Sequence, residues 1–234
     1  ILISPDVNIG IHNVNNSTKI HLGNDRWILF VGGPRIGPAV LFWGEIILLI
    51  FIAIGLGKIK SIPLKHYHWF LLGVGLTQIP LIMALLVFGW LFAFLARDKY
   101  LNSVSPMLFN IGQILLGLLS FISLGFLFFA IQQGLLGSPE MQITGNESTA
   151  YLLNWYQDRS TEVLTSAWIL SVPLIVYRLL MLAWALWIAF SLINWLRWGW
   201  SCFSKDTLWK KKPKAEIVNN VDTKALTTDS NKIN

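Results

Sequence analysis

The chain has 234 residues, 54% of them hydrophobic and 13% charged, with a mean hydropathy of +0.58 and a formal net charge of +6. Soluble domains carry roughly 25% charged residues, and a chain of this length could not hide so much apolar surface from water, so an ordinary water-soluble domain is excluded. With Cys202 as its single cysteine, the chain has no internal disulfide and no cysteine-based metal site.

Residues 1–35 are polar and mixed. Val7, Ile9 and Ile11 alternate with polar or small neighbours, and a second β-like run ends in Trp27-Ile28-Leu29-Phe30-Val31. Asn15, Asn16 and Gly23-Asn24-Asp25 supply turn chemistry between them. The pattern predicts the membrane-proximal end of a β-rich extramembrane domain whose other strands lie elsewhere. The chain opens on Ile1 without a basic, apolar leader pattern and reads as the C-terminal part of a longer protein.

Gly32-Gly33-Pro34-Arg35 and Gly37-Pro38 then break the backbone, and a first membrane span is predicted over about 38–56. A basic loop with Lys58, Lys60 and Lys65 leads to a second span over about 69–95, in which Gln78 and Pro80 predict a kink. Arg97-Asp98-Lys99 closes it. A third span is predicted over about 107–131, with Asn110 and Gln113 near its start. Residues 137–163 read as a hydrophilic loop, and the stretch up to Pro173 as an interfacial amphipathic segment. A fourth span over about 174–196 leaves the bilayer at Trp195, Trp198 and Trp200. Residues 204–234 are basic and aperiodic, which predicts a disordered tail suited to anionic lipid rather than to nucleic acid. The expected fold class is an all-α membrane protein: a four-transmembrane-helix bundle over 36–203, with a short β-like N-terminal segment and that tail.

Four crossings put both ends on one side, and the charges then disagree. Arg97, Lys99, Arg197 and the tail lysines argue that this side is cytoplasmic, whereas Lys58, Lys60 and Lys65 argue the reverse. Three stretches bear on the question: Gly33-Pro34-Arg35-Ile36-Gly37-Pro38-Ala39-Val40-Leu41-Phe42-Trp43-Gly44, Met141-Gln142-Ile143-Thr144-Gly145-Asn146, and Trp155-Tyr156-Gln157-Asp158-Arg159-Ser160. With Val172-Pro173-Leu174 and Tyr177 to Leu182, the chain over about 25–210 resembles the C-terminal region of a group of large, uncharacterised bacterial envelope proteins. The resemblance implies an inner-membrane location and a periplasmic N-terminal side. It carries no activity.

Polar side chains at membrane depth are expensive and therefore the first candidates for function. Glu45 is the sharpest, and helix spacing predicts a Glu45–Gln78–Gln113 polar cluster. Such a cluster can carry protons or line a path, or it can simply hold helices together. Arg178 is placed near the side opposite Glu45 and reads as an interfacial charge. Gly73/Thr77, Gly89/Ala93 and Ala185/Ala189 have the spacing of helix-packing pairs. His66 and His68 read as exposed loop residues without a third metal ligand. No phosphate loop, nucleophile triad or HExxH pattern occurs, so neither enzymatic activity nor a cofactor is expected. The leading expectation is a non-enzymatic membrane anchor and scaffold that meets lipid and other envelope proteins. The rival is a transporter or channel subunit with a polar path near Glu45.

Overall fold

A computed structural model of the chain describes residues 1–100, 104–139, 141–205 and 207–210. The expected disordered tail, from residue 211 onward, lies outside the described residues.

Four strands precede the helices: β1 (Leu2–Ile3), β2 (Asn13–His21), β3 (Arg26–Gly32) and β4 (Ala39–Val40). Three more, β5 (Ile143–Thr144), β6 (Leu152–Ser160) and β7 (Trp168–Pro173), occupy the stretch expected to be a hydrophilic loop and an interfacial segment. Every pairing joins the two groups. β7 lies between β1 and β3, β2 runs antiparallel to β6 from Asn13↔Ser160 to His21↔Leu152, and β4 pairs with β5. The N-terminal strands thus find their partners more than a hundred residues later in the same chain. The core between them is Ile28, Met141, Leu153, Trp155, Ala167 and Ile169, all buried. Leu153 and Trp155 are two apart in β6, the spacing that puts both on one face of a strand.

The helices are α1 (Phe42–Leu56), α2 (His66–Leu76), α3 (Leu81–Tyr100), α4 (Pro106–Leu136) and α5 (Leu174–Ser204). Five helices and seven strands in three sheets overturn the expected all-α four-helix bundle. The decisive difference is at Pro80. The expected second span over 69–95 is two helices that fold back on each other, not one kinked helix. Trp69 stacks on Phe88 and Phe92 with ring centroids 5.8 and 5.9 Å away. In one continuous helix Trp69 and Phe88 would stand roughly 28 Å apart. The local chemistry explains the reversal. Thr77 closes α2 by donating its N–H to Gly73 O and its hydroxyl to Val74 O. Pro80 has no N–H to extend that helix, and its carbonyl instead accepts from Met83 and Ala84 to open α3.

Side-chain contacts fix the helix directions. Tyr177 near the start of α5 meets Gln78, Trp184 donates its indole N–H to Leu71 O at 2.8 Å, and His68 lies 6.2 Å from the Trp195 ring. α2 therefore runs antiparallel to α5. α1, α3 and α5 lead away from the β unit, and α2 and α4 lead back to it. The 58–65 loop, the end of α3, the start of α4 and residues 205–210 consequently share one end, remote from the β unit. Lys58, Lys60, Lys65, Arg97, Lys99, Arg197, Lys205 and Lys210 all belong to that end.

Three helices, Leu81–Lys99, Pro106–Leu136 and Leu174–Ser204, are long and apolar enough to cross a membrane. α1 has 15 residues and is shorter than such a crossing. Large apolar side chains cover the outside of all of them: Phe51, Ile82, Phe121, Phe128 and Phe190 are each more than two-thirds exposed. Inside, Trp69, Leu72, Val87 and Trp90 are shut off from solvent. Trp90 donates to Ser120 Oγ at 2.8 Å, which ties α3 to α4.

Candidate functional site

The start of α1 is fastened to the β unit. Trp43 stacks on Phe30, with ring centroids 4.9 Å apart, and donates its indole N–H to Leu29 O at 2.8 Å. Leu41 N donates to Gln142 O, so the approach to α1 lies beside the approach to β5. Gln142 has a positive φ of 44°, and its side chain donates Nε2–H to Glu45 Oε2 at 2.8 Å. Glu45 lies in the first turn of α1, where the helix dipole favours a negative group.

Gln78 arrives from the α2–α3 turn. Its Oε1 accepts from the Tyr177 hydroxyl at 3.0 Å, and its Nε2 donates to Thr77 Oγ1 at 3.2 Å. Tyr177 packs edge-on against Trp27 of β3, which couples this turn to the β unit as well. Glu45, Thr77, Gln78 and Gln142 together border a cleft of about 450 Å³. Its deeper wall is apolar: Leu49 one turn along α1, and Ala84 and Phe88 one and two turns along α3. Gly73 forms part of this wall, where Leu49 Cδ2 would lie 3.0 Å from an added Cβ.

Gln113 is not in this group. Because α2 and α3 fold back, α4 runs opposite to α1, and Gln113 lies at the remote end. It is 23 residues before Leu136 on α4, about 35 Å of helix at ~1.5 Å per residue. There it accepts from Arg97 Nε at 3.3 Å and donates to Phe203 O at 3.1 Å. Arg97, 2% exposed, also donates to Lys205 O and Thr207 O at 2.8 and 3.2 Å. Asn110 exchanges two hydrogen bonds with the Lys210 backbone, and Lys205 pairs with Asp98 at 2.7 Å. These contacts strap residues 205–210 across the ends of α3 and α4. Arg178 is exposed in the second turn of α5, at the same end as Glu45 rather than opposite it, because α5 begins at the β unit.

The stretches 33–44, 141–146 and 155–160 converge. The Tyr156 N–H donates to Ile36 O at 2.7 Å, β4 pairs with β5, and a Cβ at Gly37 would overlap the Trp155 indole. Between the 33–36 and 156–159 segments lies a second groove of about 480 Å³, bordered by Arg35, Asp158 and Arg159. Asn146-Glu147-Ser148 is a tight turn at the head of β6, with positive φ at Asn146 and Glu147 and Ser148 Oγ accepting from Asn154 N. No family model, curated protein or solved structure matches the chain.

Tyr177, Gln142 and Arg97 escaped sequence reasoning. Gln142 lies in the stretch expected to be a hydrophilic loop, and Tyr177 in the expected fourth span. Arg97 was read as a membrane-boundary charge, although it is among the most buried side chains of the protein. A cleft with a carboxylate at its mouth and an apolar wall can bind a hydrogen-bond donor attached to a hydrocarbon. Among the described residues no group of three His, Cys, Asp or Glu side chains could hold a metal ion.

Proposed function

We propose that the protein is a non-enzymatic membrane anchor and scaffold, which holds its β unit outside the cytoplasmic membrane of a bacterium. One observation carries this reading: strands from both sides of α1–α4 close into a single unit fastened to one end of the helices. Leu174 N donates to Asp25 O, Trp43 reaches β3, and Tyr177 packs on Trp27, so α1 and α5 are both fastened to β3 and its flanking turn. The exposed apolar helix faces suit lipid. Lysine and arginine gather at the end remote from the β unit, which favours a cytoplasmic tail, 58–65 loop and 97–105 connection. The fold-back at Pro80 removes the charge conflict that four crossings created. α1 covers only about 22 Å of a hydrocarbon layer of ~30 Å, so the α1–α2 hairpin reaches the far surface through its lysine side chains.

The channel reading has less support. The cleft stops at Phe88, and Trp69, Leu72, Val87 and Trp90 fill the space between it and the Arg97–Gln113 strap. The proposal is tested in bacterial cells with reporters fused after Asn234. A fluorescent protein that matures only in the cytoplasm should glow there, alkaline phosphatase there should stay inactive, and the chain should resist alkaline extraction from membranes. Active phosphatase at that position, or release into the alkaline wash, would overturn the reading.

A further inference from the structure

We infer that the groove between residues 33–36 and 156–159 binds an extended, acidic segment of a partner protein, which adds a strand to the open edge of β6. The inference rests on the scaffold reading above and deepens it by naming the surface and the chemistry of what is held. The groove exists because a strand pairing stops early. β6 has β2 along one edge. On the other edge Ile36 bridges Tyr156 in antiparallel register, with the Tyr156 N–H donating to Ile36 O at 2.7 Å. Two residues further, that register would set Pro34 opposite Asp158, but no hydrogen bond joins the two backbones there. Pro34 has no N–H to give the Asp158 carbonyl. Gly33, with a φ of 149°, turns aside onto Ala167, where an added Cβ would lie 2.9 Å from Ala167 Cα. Asp158 is two residues beyond Tyr156, so its backbone N–H and C=O also point away from β2. They border a space of about 480 Å³. An unpaired strand edge beside such a space is a ready place for an added strand.

Charge selects the segment. Arg35 and Arg159 both border the groove, and both are exposed. Neither guanidinium makes a hydrogen bond or an ion pair among the described residues. Asp158 is the one acid on the border, so two positive charges stand against one negative. Side chains alternate along β6, which turns Arg159 to one face of an added strand and Asp158 to the other. A segment with carboxylates at every second residue presents them all on the Arg159 face, where a guanidinium can take a carboxylate through two parallel N–H donors. Its other face, uncharged, meets Asp158 without repulsion.

The test uses the full chain in detergent and fluorescence anisotropy with capped, labelled peptides that alternate valine with glutamate, glutamine or lysine. A fourth probe is the glutamate peptide with every backbone nitrogen methylated, which keeps the charge and removes the N–H donors. The glutamate peptide should bind saturably and about tenfold tighter than the glutamine peptide, the worth of one charge-assisted hydrogen bond. The lysine and methylated peptides should bind more weakly than either. Arg35→Gln combined with Arg159→Gln should bring the glutamate peptide down to the affinity of the glutamine peptide. No binding of the glutamate peptide, or equal binding of the glutamine or lysine peptide, would overturn the inference. So would a methylated peptide that binds as well as its parent, since charge alone would then suffice, or a double variant with unchanged affinity. Should the double variant fail to fold, the ranking of the four peptides on the wild type decides alone. None of these readouts depends on which side of a membrane the β unit faces, so their failure leaves the anchor reading to the reporter fusions.

Discussion

Replacing Arg97 with leucine should loosen the remote end of the helices more than any other single change there. The guanidinium is buried and donates to Gln113, Lys205 O and Thr207 O. It also lies over the Phe109 ring, 5.4 Å from its centroid. Removing it leaves the buried Gln113 side-chain oxygen without this donor and releases the Lys205 and Thr207 carbonyls, and losing hydrogen bonds from a charged group costs about 1.5–3 kcal/mol. Arg97→Lys should recover little, because one ammonium cannot reproduce a planar fork that serves partners on α4 and on the 205–207 segment. Arg97→Met combined with Gln113→Leu should recover part of the loss, since both buried polar groups then go together. The readouts are thermal unfolding in detergent and trypsin cleavage after Lys205 and Lys210, which should accelerate in Arg97→Leu once the strap is released. Unchanged melting and unchanged cleavage would mean that the strap contributes nothing.

Gly75→Ala should be the most damaging of the glycine-to-alanine changes within the helices. A Cβ at Gly75 would overlap the indole of Trp184, which is itself pinned by its hydrogen bond to Leu71 O. Relief requires the ring to move, with loss of that bond and of the close α2–α5 approach. Overpacking of this kind costs about 1–3 kcal/mol, and the lost hydrogen bond about 1 more. Gly89→Ala and Gly117→Ala provide the contrast, because an added Cβ at either meets nothing within 4 Å. They should be neutral or stabilising by up to about 1 kcal/mol through helix propensity. Melting temperatures of the three variants in one detergent check the ordering, and equal melting of all three would contradict the packing described for α2 and α5.

That contrast also marks what the sequence could and could not say about packing. Gly73, singled out by spacing, does meet Leu49, but Gly89 faces outward and Ala189 is exposed, while Gly75 belonged to no recognised pair. Spacing identifies small residues and leaves open which face of the helix meets a neighbour. Hydropathy located the apolar stretches but was blind to direction, because a helix that kinks at Pro80 and a helix that turns back there have the same composition. The clue to a reversal was the density of Gly73, Gly75, Thr77, Gln78 and Pro80 within eight residues. The β-character of residues 26–32 was legible. That of β2 was not: the alternation at Val7, Ile9 and Ile11 lies before it, and Asn15 and Asn16, read as turn residues, lie inside it. Nor was that of residues 152–160. There Asn154 is buried between Leu153 and Trp155, so the alternation that announces a strand is broken. Glu45 and Gln78 do border one cleft, but Gln78 reaches it from the α2–α3 turn next to the β unit, whereas helix spacing brings it in from the opposite side. Gln113 was displaced from them by the single reversal at Pro80.

That reversal is also what the placement of the basic residues and the proposed orientation depend on. Its most direct test is cysteine labelling in sealed vesicles of each orientation, using Cys202→Ser as the background and single cysteines at Ser61, Val104 and Thr161. The fold-back predicts that positions 61 and 104 react from the same face and position 161 from the other. Labelling of 61 and 104 from opposite faces, as a straight crossing over 69–95 requires, would contradict it.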